Sequence, residues 1–252
     1  MSDLVSIIMP SFNTGKFIKE TIESVICQTY ENWELIIVDD CSTDDTDSVV
    51  SSFSDDRIKF FKNEKNSGAA VSRNFAIRKA SGRWIAFLDS DDVWLPNKLE
   101  KQISFMIDNN YSFSYTCYSE MNEDSVESGR VVSGPKVISK TGMYNYCWPG
   151  CLTVMYDVSV VGLVQIEDIK KNNDYAIWLK VIQKAKCHLL NEVLAKYRRR
   201  QGSISNHSYI QLIKWHYKLF REAEKRGPIV SAILTLRNMF FGVAKKILYV
   251  RK

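Results

Sequence analysis

The sequence predicts an α/β protein: a Rossmann-like, mainly parallel sheet flanked by helices, with a helical C-terminal extension. Three observations carry this. Short runs rich in β-branched and aromatic residues alternate with stretches of helical spacing through the first half of the chain. Those runs are almost continuously apolar, as expected of strands covered on both faces. After about Ser205 the chain turns helical and basic.

In order, VSIIMP (5–10) reads as a first strand, and Phe17, Ile18, Thr21, Ile22, Val25 and Ile26 as the buried face of a first helix. WELIIVDD (33–40) is a second strand, followed by a helix around Val49, Val50 and Phe53. RIKFFKN (57–63) and RWIAFLD (83–89) are the third and fourth, separated by a helix carrying Ala69, Ala70, Arg73, Ala76 and Ile77. Beyond Pro96 a helix over about 97–109 presents Leu99, Ile103, Met106 and Ile107. Irregular strands and loops then extend to about Tyr197, with one helix near 174–186. The extension is helical and is broken at RGP (226–228), where glycine and then proline stop one helix and start another. The expected organisation is one α/β domain over 1–205, with halves over 1–92 and 93–205, and a tail over 206–252.

At 252 residues and 45% apolar composition the chain has enough material for a sizeable core. Its six cysteines (27, 41, 117, 147, 151, 187) form no CxxC pair, which argues for free thiols rather than a zinc cluster or a disulfide framework. No basic signal region opens the chain and no run reaches the 18 to 20 or so apolar residues of a membrane span, so a reducing, cytoplasmic setting is expected. The net charge of +5 is uneven: from Asn206 onward there are ten Lys/Arg against two Asp/Glu, and 24 against 27 before it. Such a tail fits an anionic partner. Within it, Ile229, Ile233, Leu236, Phe240, Val243 and Ile247 recur at helical spacing, opposite Ser231, Thr235, Asn238, Gly242, Lys245 and Tyr249. That pattern suits peripheral contact with the inner face of a membrane, and it equally suits packing on the domain or on a second copy in a homo-oligomer.

The chemistry concentrates where strands end. Asn13, the Asp39–Asp40 pair and the Asp89–Asp91–Asp92 cluster each follow a strand, so in a parallel sheet they share one edge, where ligands gather. Three carboxylates within four positions repel by about 1 kcal/mol per pair even in water, and something positive is required nearby. No glycine-rich phosphate cradle is present. A divalent cation with oxygen ligands, Mg²⁺ or Mn²⁺, would let these carboxylates hold a diphosphate. Ser42, Thr43 and Asp44 can cap the following helix, and Asp174 can do the same for the helix it precedes.

Four segments, VSIIMPSFN, ELIIVDDCSTDDT, NSGAAVSRN and GRWIAFLDSDDVWLP, occur in an order and at spacings that resemble family 2 of the inverting nucleotide-sugar glycosyltransferases, with their GT-A fold. The resemblance is dense over roughly 4–110 and fainter to about 205. It implies that Phe12 and the Asp39–Asp40 pair, Asp40 in particular, hold a uracil. It places Arg73 near the nucleotide, Asp89 on the ribose side and Asp91 on the metal. Pro10, Asn13, Asn66, Gly68 and Ser90 fall on the nucleotide side, and Asp92, Trp94 and Asn173 on the side of the sugar and acceptor. Asp174 stands where the family has its general base, with Asn173 in place of the usual acidic neighbour. In YRRRQGSIS (197–205), Arg200 stands where the family has a histidine. A guanidinium cannot ligate a metal but can pair with a leaving diphosphate.

The implied activity is metal-dependent transfer of one sugar, from a UDP-hexose or UDP-N-acetylhexosamine, to a glycan hydroxyl. The acceptor expected is lipid-diphosphate-linked, in bacterial polysaccharide assembly, with no nucleic acid involved. The alternatives are a sugar nucleotidyltransferase, for which PSFNTGK is a poor phosphate loop, and a non-catalytic nucleotide-binding module.

Overall fold

The computed structural model describes residues 3–200 and 209–251. Strands β1 (Val5–Ser11), β2 (Trp33–Asp39), β3 (Ile58–Lys62) and β4 (Trp84–Phe87) run parallel, linked by α1 (Gly15–Ile26), α2 (Thr46–Ser51) and α3 (Ala69–Lys79). The expected βαβαβαβ alternation is therefore present. Every residue of β1, β2 and β4 is buried. Successive side chains of a strand point to opposite faces, and the core divides accordingly. Ile7, Met9, Leu35 and Ile37 pack with Ile18, Ile22 and Val25 of α1 and with Leu99, Ile103 and Met106 of α4 (Lys98–Asp108). Ile8, Ile36 and Val38 meet Ala70, Ala76 and Ile77 of α3 on the other face.

The second half continues the sheet, antiparallel except where β10 runs parallel to β6, through β5 (Val93–Trp94), β6 (Phe113–Met121), β7 (Glu127–Val132), β8 (Val137–Ile138), β9 (Met155–Asp157) and β10 (Cys187–Arg198). The order β3-β2-β1-β4-β9-β6-β7 is completed by β11 (Val250–Arg251) on β7, while β10 lies along β6 and also pairs β5 and β8. Short helices α5 (Lys140–Asn145) and α6 (Val158–Val161) precede α7 (Asn173–Val181). The extension forms α8 (Tyr209–Lys218), a π-helical turn (Leu219–Ala223) and α9 (Pro228–Leu248), with the break at Gly227–Pro228 as expected.

This extension shares the core rather than projecting from it. Leu219, Phe220, Ala223 and Leu234 belong to the same apolar cluster as Tyr175, Ile177 and Trp178 of α7. All six cysteines are free. Among the described residues no helix is long and apolar enough to cross a membrane.

Candidate active site

Parallel pairing in register, with Ser11 opposite Asp39, brings the strand ends to one edge. Three non-glycine residues with left-handed backbone lie at turns around it: Asn13 (φ 50°) after β1, Cys41 (φ 65°) after β2 and Asn172 (φ 58°) before α7. Such conformations cost energy and persist where surrounding contacts impose them. Asn13 is pinned on both sides, its N–H donating to Ser42 Oγ (2.8 Å) and its Oδ1 accepting from the N–H of Thr43 (2.9 Å).

The acidic cluster finds its positive partners within the protein. Asp89 accepts from Arg73 Nη2, and Asp91 Oδ2 pairs with Arg200 Nε at 2.7 Å. Asp92 Oδ1 accepts from the backbone N–H of Arg198 (2.8 Å). Arg198 was not singled out from the sequence, yet its side chain is wholly enclosed. It donates to the Asp91 carbonyl (2.7 Å), to Ser125 Oγ (2.8 Å) and to Glu20, with its guanidinium 5.1 Å from the centre of the Phe17 ring. It ties β10 to the 89–92 turn and to α1. The only sequence sign of it was its place in the YRRR run.

Burial opposes ionisation of Asp91 and of Asp92 and is the largest influence on both. It raises Asp91 above the ordinary carboxylate range; Arg200 counters it and Asp89 adds to it. Asp92 is held well above that range by burial and by Asp91 and Asp89. Its Oδ2 is enclosed and has no hydrogen-bond partner. Arg73 is buried, which works against its charge, but Asp89, Cys151 and Asp174 raise it.

Asp174 lies in the first turn of α7, steadied by the N–H groups of Tyr175 and of Asp174 itself. Burial lifts it above the ordinary value of 3.8 against the pull of Arg73. Arg73 is thus the hub, joining Asp89 at the end of β4 to the start of α7 through a hydrogen bond to Asn173 Oδ1.

Several expected roles need correction. Asn173 is committed to Arg73 and is not presented to an acceptor. Trp94 is 2% exposed, with Nε1 on the Leu152 carbonyl (2.7 Å); it is a core residue, because β5 turns it inward against β10. Asp92, enclosed and bonded to Arg198, belongs to the turn rather than to a sugar pocket. Pro10 is buried within β1, and Ser90 accepts from Thr14 Oγ1 (3.1 Å). Both shape the edge from inside.

Asp39 and Asp40 are both buried and engaged. Asp39 receives the N–H (2.9 Å) and hydroxyl of Ser42. Asp40 receives Asn63 Nδ2 (2.8 Å) and the N–H groups of Ser67 (2.8 Å) and Gly68 (2.7 Å). Freeing Asp39 moves one residue, whereas freeing Asp40 dismantles the lead into α3. Asp39 is thus the more easily released of the two. Gly68 (φ 89°) sits where a side chain would be strained, and Asn66 is exposed beside it. Phe12 is exposed at the end of β1.

For a metal, the described residues contain no group of three or more candidate ligands. Asp89 and Asp91 each keep an oxygen outside their arginine pairs, and both are partly accessible. Two hard carboxylate oxygens fit a divalent cation that completes its shell with substrate phosphate oxygens and water.

A family model described as Glycosyl transferase family 2 matches residues 6–149. The chain is 44% identical over 244 residues to an Escherichia coli protein named UDP-Glc:alpha-D-GlcNAc-diphosphoundecaprenol beta-1,3-glucosyltransferase WfgD, covering 96% of this chain and 94% of that one. It is 40% identical over 225 residues to a Bacillus subtilis protein named for teichuronic acid biosynthesis, the glycosyltransferase TuaG, covering 88% and 89%. In fold it is similar to S. aureus TarS in complex with UDP-GlcNAc, with a TM-score of 0.71 at 20% identity, over 92% of this chain and 70% of that chain.

Proposed function

The chain belongs to glycosyl transferase family 2 and is a glycosyltransferase; from that premise we propose that it moves one sugar from a UDP-sugar to a hydroxyl of a lipid-diphosphate-linked glycan, by a single inverting displacement. The nucleotidyltransferase and non-catalytic readings fall away with family membership. The relative named as a UDP-Glc:GlcNAc-diphosphoundecaprenol glucosyltransferase, aligned over nearly all of both chains, supports glucose as donor sugar and this acceptor class.

The observation that carries the proposal is the gathering of Asp89, Asp91 and Asp174 around Arg73 and Arg200. The base stacks on Phe12, and Asp39 accepts its imide N–H once Ser42 turns away. Asp174 takes the proton of the acceptor hydroxyl as that oxygen attacks the anomeric carbon from the face opposite the diphosphate. A carboxylate raised by burial is a stronger base than one in water, which suits this task. As the bond from the anomeric carbon to the diphosphate oxygen breaks, Arg200 exchanges Asp91 for the departing diphosphate and stabilises its charge. A divalent cation held by Asp89 and Asp91 would supply further neutralisation of the diphosphate. Arg73 keeps Asp89 and α7 in register throughout.

The test is nucleoside diphosphate release from a panel of UDP-, GDP- and dTDP-sugars, with a polyprenyl-diphosphate GlcNAc acceptor and with or without Mn²⁺ or EDTA. Acceptor-dependent UDP release is expected. Release from other nucleotides alone, or none with any lipid-linked acceptor, overturns the substrate assignment.

A further inference from the structure

Helix α9 is mounted with its polar side inward. Asn238 Nδ2 donates to the Tyr175 hydroxyl (2.8 Å), Lys245 Nζ to the Trp148 carbonyl (2.7 Å), and Ser231 and Thr235 return their hydroxyls to the helix's own carbonyls. The opposite side carries Ile229, Ile233, Leu236, Phe240, Val243 and Ile247, each between 51% and 75% exposed. Spaced three or four apart, they form one stripe along a 21-residue helix, roughly 30 Å long at 1.5 Å per residue. A continuous apolar stripe of that length marks a docking surface. The helix cannot roll to hide it, because rolling would pull Asn238 and Lys245 from their buried acceptors.

Charge identifies the occupant. From Pro228 to Lys252 the chain has five Lys/Arg and no Asp or Glu. Arg237 and Lys246 flank the stripe, Lys225 and Arg226 stand exposed before its start, and Arg251 beyond its end. The two acids of the extension, Glu222 and Glu224, lie in the turn ahead of the helix. The same spacing would serve a coiled-coil seam between two copies, but such a seam sets acids against its flanking cations. Here two copies would bring only like charges together.

We propose that the outward face of α9 docks the enzyme on an anionic phospholipid bilayer, the stripe entering the headgroup boundary and the flanking cations lying on the phosphates. This deepens the lipid-linked-acceptor reading: α9 is bonded through Tyr175 to the helix that carries Asp174, so docking fixes the catalytic edge relative to the membrane.

The test is co-sedimentation of the full chain, without donor or acceptor, with phosphatidylcholine vesicles and with vesicles containing phosphatidylglycerol. Expected is at least about tenfold tighter binding to the anionic vesicles, lost in a Leu236→Ser/Phe240→Ser variant and in Arg237→Glu/Lys246→Glu. UDP release onto a water-soluble acceptor should be unchanged in the first variant, which separates docking from transfer. Absence of wild-type binding overturns the proposal, as does equal binding by the first variant. So does a wild-type dimer in sedimentation equilibrium that this variant abolishes, without vesicle binding.

Discussion

Burial holds Asp174 above the ordinary carboxylate value against the pull of Arg73, and this gives the reaction a pH signature. The base acts only when ionised, so kcat should climb with pH through an inflection above 3.8 and then level. Asp174→Asn should reduce kcat by about 10² to 10⁴ while UDP still binds in calorimetry. Loss of UDP affinity in step with kcat would instead mark Asp174 as structural. Arg200→Ala removes a charge-assisted partner of the diphosphate, worth about 1.5 to 3 kcal/mol, and kcat/KM should fall about ten- to a hundredfold. An unchanged value would leave Arg200 as a mere counter-ion of Asp91. The strand-end acids were legible in the sequence because apolar runs terminate on them. Their partners were not, since Arg73, Arg198 and Arg200 approach from a helix and a strand that only tertiary packing brings together. Trp94 misled because its two-residue strand has no periodicity to say which way an aromatic points.

At the level of elements, α7 is held by the extension behind it. The Tyr175 hydroxyl accepts from Asn238 and donates to the Met143 carbonyl (2.6 Å), and its ring meets Phe220 edge-on with centroids 6.2 Å apart. Tyr175→Phe strands two enclosed polar groups and should cost about 2 kcal/mol in urea unfolding. Adding Asn238→Leu removes one of the stranded partners and should recover part of that loss; additive costs would show that the pair is not coupled. The helical character of this segment and its break at Gly227–Pro228 followed from sequence. Its facing did not, because periodicity reveals a stripe without saying which side meets the domain. Hydrogen-bond acceptors at Trp148 and Tyr175 decide that here.

Across the whole molecule, the parallel half was readable because the all-buried β1, β2 and β4 leave an unbroken apolar signature, while β7 and β10 mix burial with exposure and blur theirs. The fold also encloses a lysine amine away from solvent. Lys98 is fully enclosed, its amine unpaired and 3.7 Å from the centre of the Trp94 ring. Burial holds it well below the ordinary value of 10.5. A base so depressed leaves the unfolded chain binding more protons, so stability rises with pH up to about 10.5. Lys98→Met should raise stability at neutral pH by about 1 to 3 kcal/mol and flatten that rise, as read by thermal unfolding across pH. A lower midpoint would mean that the amine is ionised and held by the ring. The central claim, single displacement driven by Asp174 at an arginine-neutralised acidic edge, is tested most directly by the anomeric configuration of the product. With UDP-α-glucose and a lipid-diphosphate GlcNAc acceptor, proton NMR should show a β-linkage formed by the wild type and none by Asp174→Asn. An α-linked product, or full turnover by the variant, would contradict it.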